Sequence, residues 1–282
     1  MDDLVFVDTS FEQNKTEEYS LSIQLGLDGF SFSILNRNKE CIALNRHTTF
    51  RNKSDADLIN SFKENLRNNT LLNLPFQKVS VLWTSKEAIL IPSEFFSPAF
   101  AHESFQLCHT LEKGAKLIWN KMKEMDSWSV FSIPEQFADL VTSQFSNAVF
   151  YHHTYPFINL SISNMKLESQ PNVFVNIQRD FLHLIIPNSN QKHFINSFTY
   201  QEDSDLTYYI LNIYKQQQLS NERSKLILDG IVQDDSKLVR LLKKYLGQVE
   251  VKSLPAELRM KNDIPQQEYN QFNNLLNLSQ CE

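Results

Sequence analysis

The sequence predicts an α/β protein built from two copies of one β-β-β-α-β-α unit. Two observations carry this reading: a pair of β-hairpins whose apolar positions recur at a constant offset of 152 residues, and a capped helix following each pair. A third, only 5 glycines in 282 residues, limits what such a body can do.

The first unit opens with Leu21, Ile23 and Leu25 alternating with polar residues, a turn at Leu27-Asp28-Gly29, and Phe30, Phe32 and Ile34 alternating again. Period-two alternation on both sides of a short turn is a hairpin. A turn at Asn36 to Lys39 leads to a third strand at Cys41 to Leu44. Ser54 and Asp57 form a capping box ahead of Ile59, Phe62 and Leu66 at helical spacing, and Val79, Val81 and Trp83 supply a further strand.

The second unit repeats that order. Val173, Val175 and Ile177 alternate, Arg179-Asp180 turns the chain, and Leu182, Leu184 and Ile186 follow. Adding 152 to positions 21, 23, 25, 30, 32 and 34 gives those six apolar positions without a gap. A turn at Asn188-Ser189-Asn190 leads to His193-Phe194-Ile195, and Ser204-Asp205 cap a helix carrying Leu206, Ile210 and Ile213. Leu226 to Leu228 form the next strand, a helix from Ser236 to Leu246 stops at Gly247, and Val249 and Val251 mark a short last strand. A terminal helix is expected around Phe272, Leu275 and Leu276.

Between the units, the repeat leaves residues 86–168 partly unexplained. They hold a strand at Val130 to Ile133 and a helix opened by Pro134, with Phe137, Val141 and Phe145 on one face; Gln106 to Lys123 reads equally as helix or strand. The chain thus divides into a polar leader over 1–18, a first lobe over 19–168 with an inserted subdomain at about 86–126, and a second lobe over 169–282.

Composition narrows the function classes. Hydrophobic residues at 41%, with 21 Phe and 9 Tyr, describe a globular chain with a sizeable core. A net charge of -6 argues against nucleic acid as a partner, because non-specific affinity comes from cations displacing counterions. The basic run Lys237, Arg240, Lys243 and Lys244 follows Asp234 and Asp235, a distribution that complements a helix dipole. Cys41, Cys108 and Cys281 lie far apart, which fits neither a disulfide framework nor a thiolate metal site. The acidic start Met1-Asp2-Asp3 is unlike a signal peptide, and no run reaches the ~18 apolar residues of a membrane span, so a cytoplasmic protein is expected.

Reaction motifs fail one by one. His102-Glu103-Ser104-Phe105-Gln106 begins like the zinc helix H-E-x-x-H but ends on an amide. His152 and His153 are adjacent, so on a regular strand or helix their side chains diverge and do not chelate one ion. The five glycines, at 26, 29, 114, 230 and 247, build no nucleophile elbow, Walker loop or dinucleotide fingerprint. Asp55 with Asp57, and Glu202 with Asp203 and Asp205, sit at helix starts, where carboxylates favour stability.

The duplicated order resembles the actin, sugar-kinase and heat-shock-protein ATPase superfamily, with its ribonuclease H-like units. More closely, the chain resembles a Bacteroidetes-type bacterial family of unknown function with an actin-like ATPase fold, over most of residues 19–252. In that superfamily the first hairpin carries a pattern like I-D-x-G-T-T, whose acid holds the metal. Here Ile23-Gln24-Leu25-Gly26-Leu27-Asp28 keeps Gly26 but puts Gln24 in place of the acid, and an amide is a weak ligand for a hard divalent ion. Leu27 and Asp28 replace the hydroxyls, and Asp28 opposes a phosphate's charge. The second hairpin, like D-x-G-G-G-T in such ATPases, reads Asn176-Ile177-Gln178-Arg179-Asp180-Phe181, without a glycine to bare the backbone. The adenosine motif reads Leu228-Asp229-Gly230-Ile231 and keeps one of two glycines; Gly230 also reads as a plain turn residue.

The resemblance therefore implies a degenerate cleft at Gln24, Gly26, Asp28, Asn176, Gln178, Asp180, Asp229 and Gly230, with no catalytic residue and no metal ligand assigned. The expected protein is a non-catalytic actin-like binder or scaffold with a protein partner and no cofactor. The alternative is a divergent ATPase or phosphotransferase using ATP with Mg, in which Asp28, Asp180 or Asp229 takes over the metal. Relatives of this fold polymerise or pair, and no oligomeric state is assigned from the sequence.

Overall fold

The computed structural model describes residues 4–26, 29–48, 54–165, 172–188, 193–253 and 270–281. In chain order the first part contains β1 (Leu4–Val7), β2 (Ser20–Gly26), β3 (Gly29–Leu35), β4 (Cys41–Thr48), α1 (Asp55–Asn68) and β5 (Lys78–Trp83). There follow β6 (Ala88–Pro92), α2 (Pro98–Cys108), β7 (Ala115–Lys121), β8 (Ser127–Pro134), α3 (Glu135–Gln144), β9 (Ala148–His152) and α4 (Thr154–Met165). The remainder comprises β10 (Val173–Ile177), β11 (Phe181–Ile186), β12 (Phe194–Thr199), α5 (Asp203–Gln216), β13 (Leu226–Gly230), α6 (Lys237–Leu242), β14 (Val249–Val251) and α7 (Asn273–Cys281).

Two large sheets share one topology. The first runs β1-β4-β3-β2-β5-β9 and the second β12-β11-β10-β13-β14. Apart from β1, an extra edge strand antiparallel to β4, each has two antiparallel pairs followed by two parallel ones, β2 with β5 and β5 with β9, then β10 with β13 and β13 with β14. The hairpin registers agree as well: Ile23 lies opposite Phe32, and Val175 opposite Leu184. The third sheet, β6-β8-β7, is covered by α2, whose Ala101 and Phe105 pack on Ile91 and Val130.

Alternation along the hairpins sorts residues onto two faces. Leu21, Ile23, Leu25, Phe30, Phe32 and Ile34 face outward and pack against α1 and α3. Phe62 of α1 is fully buried, its ring 5.4 Å from Phe30 and 5.8 Å from Phe137. Truncating such a side chain to Ala costs about 3–5 kcal/mol. In the second sheet Val173, Val175, Ile177, Leu182, Leu184 and Ile186 pack the same way against α5 and α6.

The opposite faces look at each other, and α4 and α7 fill the space between them. Leu82, Phe174, Ile185 and Ile227 meet Tyr155, Phe157 and Ile158 of α4 and Leu278 of α7. Leu35, Cys41 and Leu44 meet Phe272, Leu275 and Leu276. Apolar and polar residues alike are buried along α4, as befits a helix lying between two layers.

Several expectations need correction. The polar leader contributes an edge strand, β1, paired along β4. The stretch from Gln106 to Lys123 is both things in turn, the end of α2 and then strand β7. The cap of α5 is Glu202, not Ser204-Asp205: its carboxylate and that of Asp205 form a reciprocal capping box, with Ser204 inside the helix. Helix α6 ends at Leu242 rather than Leu246. Gly247 lacks the positive φ of a terminating glycine, and its N–H instead donates to the Asn221 carbonyl at 2.8 Å. The expected cap of α1 is present, with Ser54 Oγ accepting from the Asp57 N–H at 3.3 Å. The turns at Leu27-Asp28 and Ser189-Asn190 lie outside the described residues.

Candidate functional site

Three chain reversals meet at one end of the space between the large sheets. In the first, Gly26 pairs with Gly29 across the β2–β3 hairpin, and Asp28 at its tip lies outside the described residues. In the second, β10 turns into β11 through Gln178, Arg179 and Asp180, closed by the Gln178 N–H donating to the Phe181 carbonyl at 2.9 Å. The Tyr200 hydroxyl donates to the Gln178 carbonyl, and the Tyr200 N–H to that of Asp180 at 2.9 Å. In the third, β13 ends at Asp229-Gly230 beside β10.

Gly230 has a steric cause. Its φ is +89°, and a Cβ there would stand 2.2 Å from the Ile177 carbonyl oxygen. The neighbouring Ile231 N–H donates to that same oxygen at 2.8 Å. The backbone-to-backbone approach of β13 to β10 therefore requires glycine, whatever the site binds.

Polar side chains form a row on the inner face of each sheet. Gln24, Ser31 and Arg46 lie opposite one another on β2, β3 and β4. Ser197, His183, Asn176 and Asp229 do so on β12, β11, β10 and β13. Asn176 is fully buried, and its Oδ1 accepts from Gln178 Nε2 at 2.7 Å. Its Nδ2, like Gln24 Oε1, is buried without a partner. Asp229 is 2% exposed and already engaged: Oδ1 accepts from the Asn273 side-chain amide at 2.8 Å and from the Gly230 N–H at 2.7 Å, and Lys252 Nζ stands 3.7 Å from Oδ2.

The expected site residues are thus only partly gathered. Gln24, Gly26 and Gln178 line one cavity of about 320 Å3, together with Arg46, Arg179 and Phe272. Asn176 and Asp229 pair side by side beneath it, and Gly230 borders a separate cavity of about 350 Å3. Asp180 is exposed and lines a larger cleft of about 1190 Å3 with Trp83, Lys86, Glu112 and Glu135. At the rim of this cleft, burial together with Glu87 and Glu112 raises the Asp55 carboxyl above its ordinary range. Among the described residues no group of three His, Cys, Asp or Glu side chains is placed to hold a metal ion. Gln24 and Asn176 present amides, which are weak ligands for a hard divalent ion, and the buried carboxylate of Asp229 accepts from Asn273 of α7.

Sequence reasoning missed Arg46, Asn273 and His183, and expected His152 and His153 to point apart. Arg46 is 8% exposed, with its guanidinium 5.8 Å from the centre of the Phe272 ring. Extending the β4 alternation two residues past Leu44 places it on the inner face. His152 and His153 do not diverge as expected, because β9 ends at His152 and α4 begins at Thr154, leaving no regular element across the pair. Their ring centres are 4.5 Å apart, and His183 of the second sheet stands 4.8 Å from His153 and 5.8 Å from His152. Of the basic run that begins on α6, Lys243, just past its end, pairs with Asp234 at 3.2 Å on the exposed surface.

Two sheets of one topology, with two helices between them and three turns converging at one end, define an α/β protein of the actin-like ATPase fold. The chain belongs to a particular family: residues 8–249 match the model described as "Protein of unknown function (DUF3822)". A solved Bacteroides thetaiotaomicron protein with actin-like ATPase fold and unknown function is similar at 24% identity and a TM-score of 0.79, covering 96% of this chain and 99% of that one. The PilM-PilN type IV pilus biogenesis complex is similar in fold at 15% identity and a TM-score of 0.60, covering 93% of this chain and 97% of that one. The ethanolamine utilization protein EutJ from Carboxydothermus hydrogenoformans follows at 9% identity and a TM-score of 0.50, with 94% and 90% covered. No curated protein matches the chain. No helix among the described residues is long and apolar enough to cross a membrane.

Proposed function

We propose that this chain is a non-catalytic, cytoplasmic actin-like protein that binds a protein partner, on a fold that arose by duplication and whose nucleotide site has degenerated. The observation that carries the reading is Asp229: the acid at the degenerate adenosine turn is buried and bonded to Asn273, so it serves to dock α7. Gln24 and Asn176 present amides in place of carboxylates, and the second hairpin offers side chains where a phosphate cradle needs bare backbone.

Two further observations support the partner. A pilus biogenesis complex shares the fold, and it is a two-protein assembly. Large apolar side chains also stand exposed on the three-stranded unit: Phe95 at 58%, Phe100 at 43% and Trp119 at 38%, with Phe96 stacked on Trp128 at 4.2 Å. Exposed aromatic groups at this density are a feature of protein-binding surfaces.

A divergent ATPase or phosphotransferase, with the metal taken over by Asp28, Asp180 or Asp229, would be favoured by these carboxylates converging on one cleft; Asp28 lies outside the described residues. Asp180 opens to the large cleft, whereas Asp229 lies beneath α7, which favours the first reading. Calorimetric titration with ATP and ADP in the presence of magnesium tests it. The expected result is no saturable binding; micromolar binding that weakens on Gln24→Ala or Asn176→Ala would replace this reading with the phosphotransferase.

A further inference from the structure

We infer that His152, His153 and His183 form a proton-operated latch between the two large sheets, closed when the three rings are neutral and released when they take up protons. The cluster joins the two halves of the molecule directly. His152 ends β9 of the first sheet, His153 follows it, and His183 lies on β11 of the second. The three residues are 0%, 0% and 4% exposed, and their rings touch in tilted or edge-on contacts.

The hydrogen bonds favour neutral imidazoles. His152 Nε2 lies 3.0 Å from the Ser85 carbonyl, to which it donates, so Nδ1 accepts from the Thr154 hydroxyl at 2.7 Å. A second proton on Nδ1 would face the Thr154 N–H, which donates to that atom at 3.4 Å. His183 Nδ1 shares a hydrogen with Ser197 Oγ at 2.6 Å, while its Nε2 and both ring nitrogens of His153 are buried without a partner. None of these atoms offers a proton a counter-charge.

The surrounding elements do not supply one either. The β5–β6 loop presents Ser85 and Lys86, β8 presents Phe131, β11 presents Phe181, β12 presents Ser197, the start of α4 presents Thr154, and the residue after α2 is His109. The charged or titratable members of this set, Lys86 and His109, both oppose a further positive charge. Burial pushes His183 down to about 4 from 6.5 and holds His152 and His153 well below 6.5; neighbouring rings add to the effect on His152 and His153 and Lys86 to that on His183, while the Ser85 and Trp83 backbone carbonyls oppose it without outweighing burial. A proton is then accommodated when water reaches the rings, and water reaches them when the sheets part.

Parting would act on the large cleft, because Ser85, Lys86 and Phe181 line it as well as the cluster. Lys86 Nζ also donates to Thr199 Oγ1 at 2.8 Å, a second tie across the same gap.

Small-angle X-ray scattering and far-UV circular dichroism, followed together from pH 7 downward, test the latch. The expected result is a rise in the radius of gyration between about pH 6.5 and about pH 4 with helical signal retained, and loss of that step in the His153→Phe, His183→Phe double variant. Expansion that occurs only as the helical signal collapses, or an identical step in the double variant, overturns the proposal. Should the double variant fail to fold, the ring 13C resonances of the unaltered chain decide. Proton uptake by His153 and His183 in the same pH step as expansion supports the latch, and uptake only on global unfolding overturns it.

Discussion

The side-chain amide of Asn273 donates to the carboxylate of Asp229 over 2.8 Å, tying α7 to the end of β13 at a point where both residues are buried. Asn273→Ala leaves that carboxylate without its side-chain donor, and we expect a loss of about 1–3 kcal/mol in urea denaturation. An unchanged midpoint would mean that Asp229 is held by other groups.

Gly230→Ala combines a positive φ with a Cβ driven into the Ile177 carbonyl, so it should destabilise by about 2–5 kcal/mol. Gly114→Ala is the control: its φ is +80°, but nothing lies within 4 Å of the new methyl. The strain alone should cost about 1–2 kcal/mol. Thermal denaturation of the two variants distinguishes them, and equal losses would contradict the close approach of β13 to β10.

The hairpins, most of both long sheets and the terminal helix were legible in the sequence because half-buried strands alternate and amphipathic helices show a period. Strands β1 and β9 were not, since each is a short edge strand with little pattern, Val5, Val7 and Val149 being exposed. Helix α4 buries apolar and polar residues alike and so has no clear amphipathic signal. At the site, the replacement of acid by amide at Gln24 and Asn176 could be read directly. The role of Asp229 could not, because its partner lies 44 residues away on an element whose docking is set by packing of Phe272, Leu275 and Leu276. The histidine cluster escaped for a related reason: a rule for regular elements was applied where β9 gives way to α4.

Stability should fall with acid because of those histidines. Unfolded, they bind protons below about pH 6.5; folded, His183 does so near 4, and burial holds the other two well below 6.5. Between those limits unfolding takes up protons, so stability is greatest above 6.5 and declines as pH falls toward 4. Each histidine contributes about 1 kcal/mol per pH unit over that window. Urea midpoints at several pH values should show the decline, reduced in His183→Phe; a flat profile would contradict the buried neutral state.

Phe95→Asp with Phe100→Asp changes two exposed side chains and should shift stability by no more than about 0.5 kcal/mol each. If the aromatic groups of the three-stranded unit meet a protein partner, the pair should abolish its co-purification from the native cell. Retention of the same partner at the same stoichiometry would move the interface elsewhere.

The central claim is that the fold persists without its nucleotide site, and the most direct measurement is the thermal stability of the intact chain with and without magnesium and ATP. A ligand present at a hundred times its Kd stabilises the native state by about 2.7 kcal/mol, which raises Tm by several degrees. The account predicts no shift at millimolar ATP. A clear rise in Tm that disappears when magnesium is chelated would contradict it.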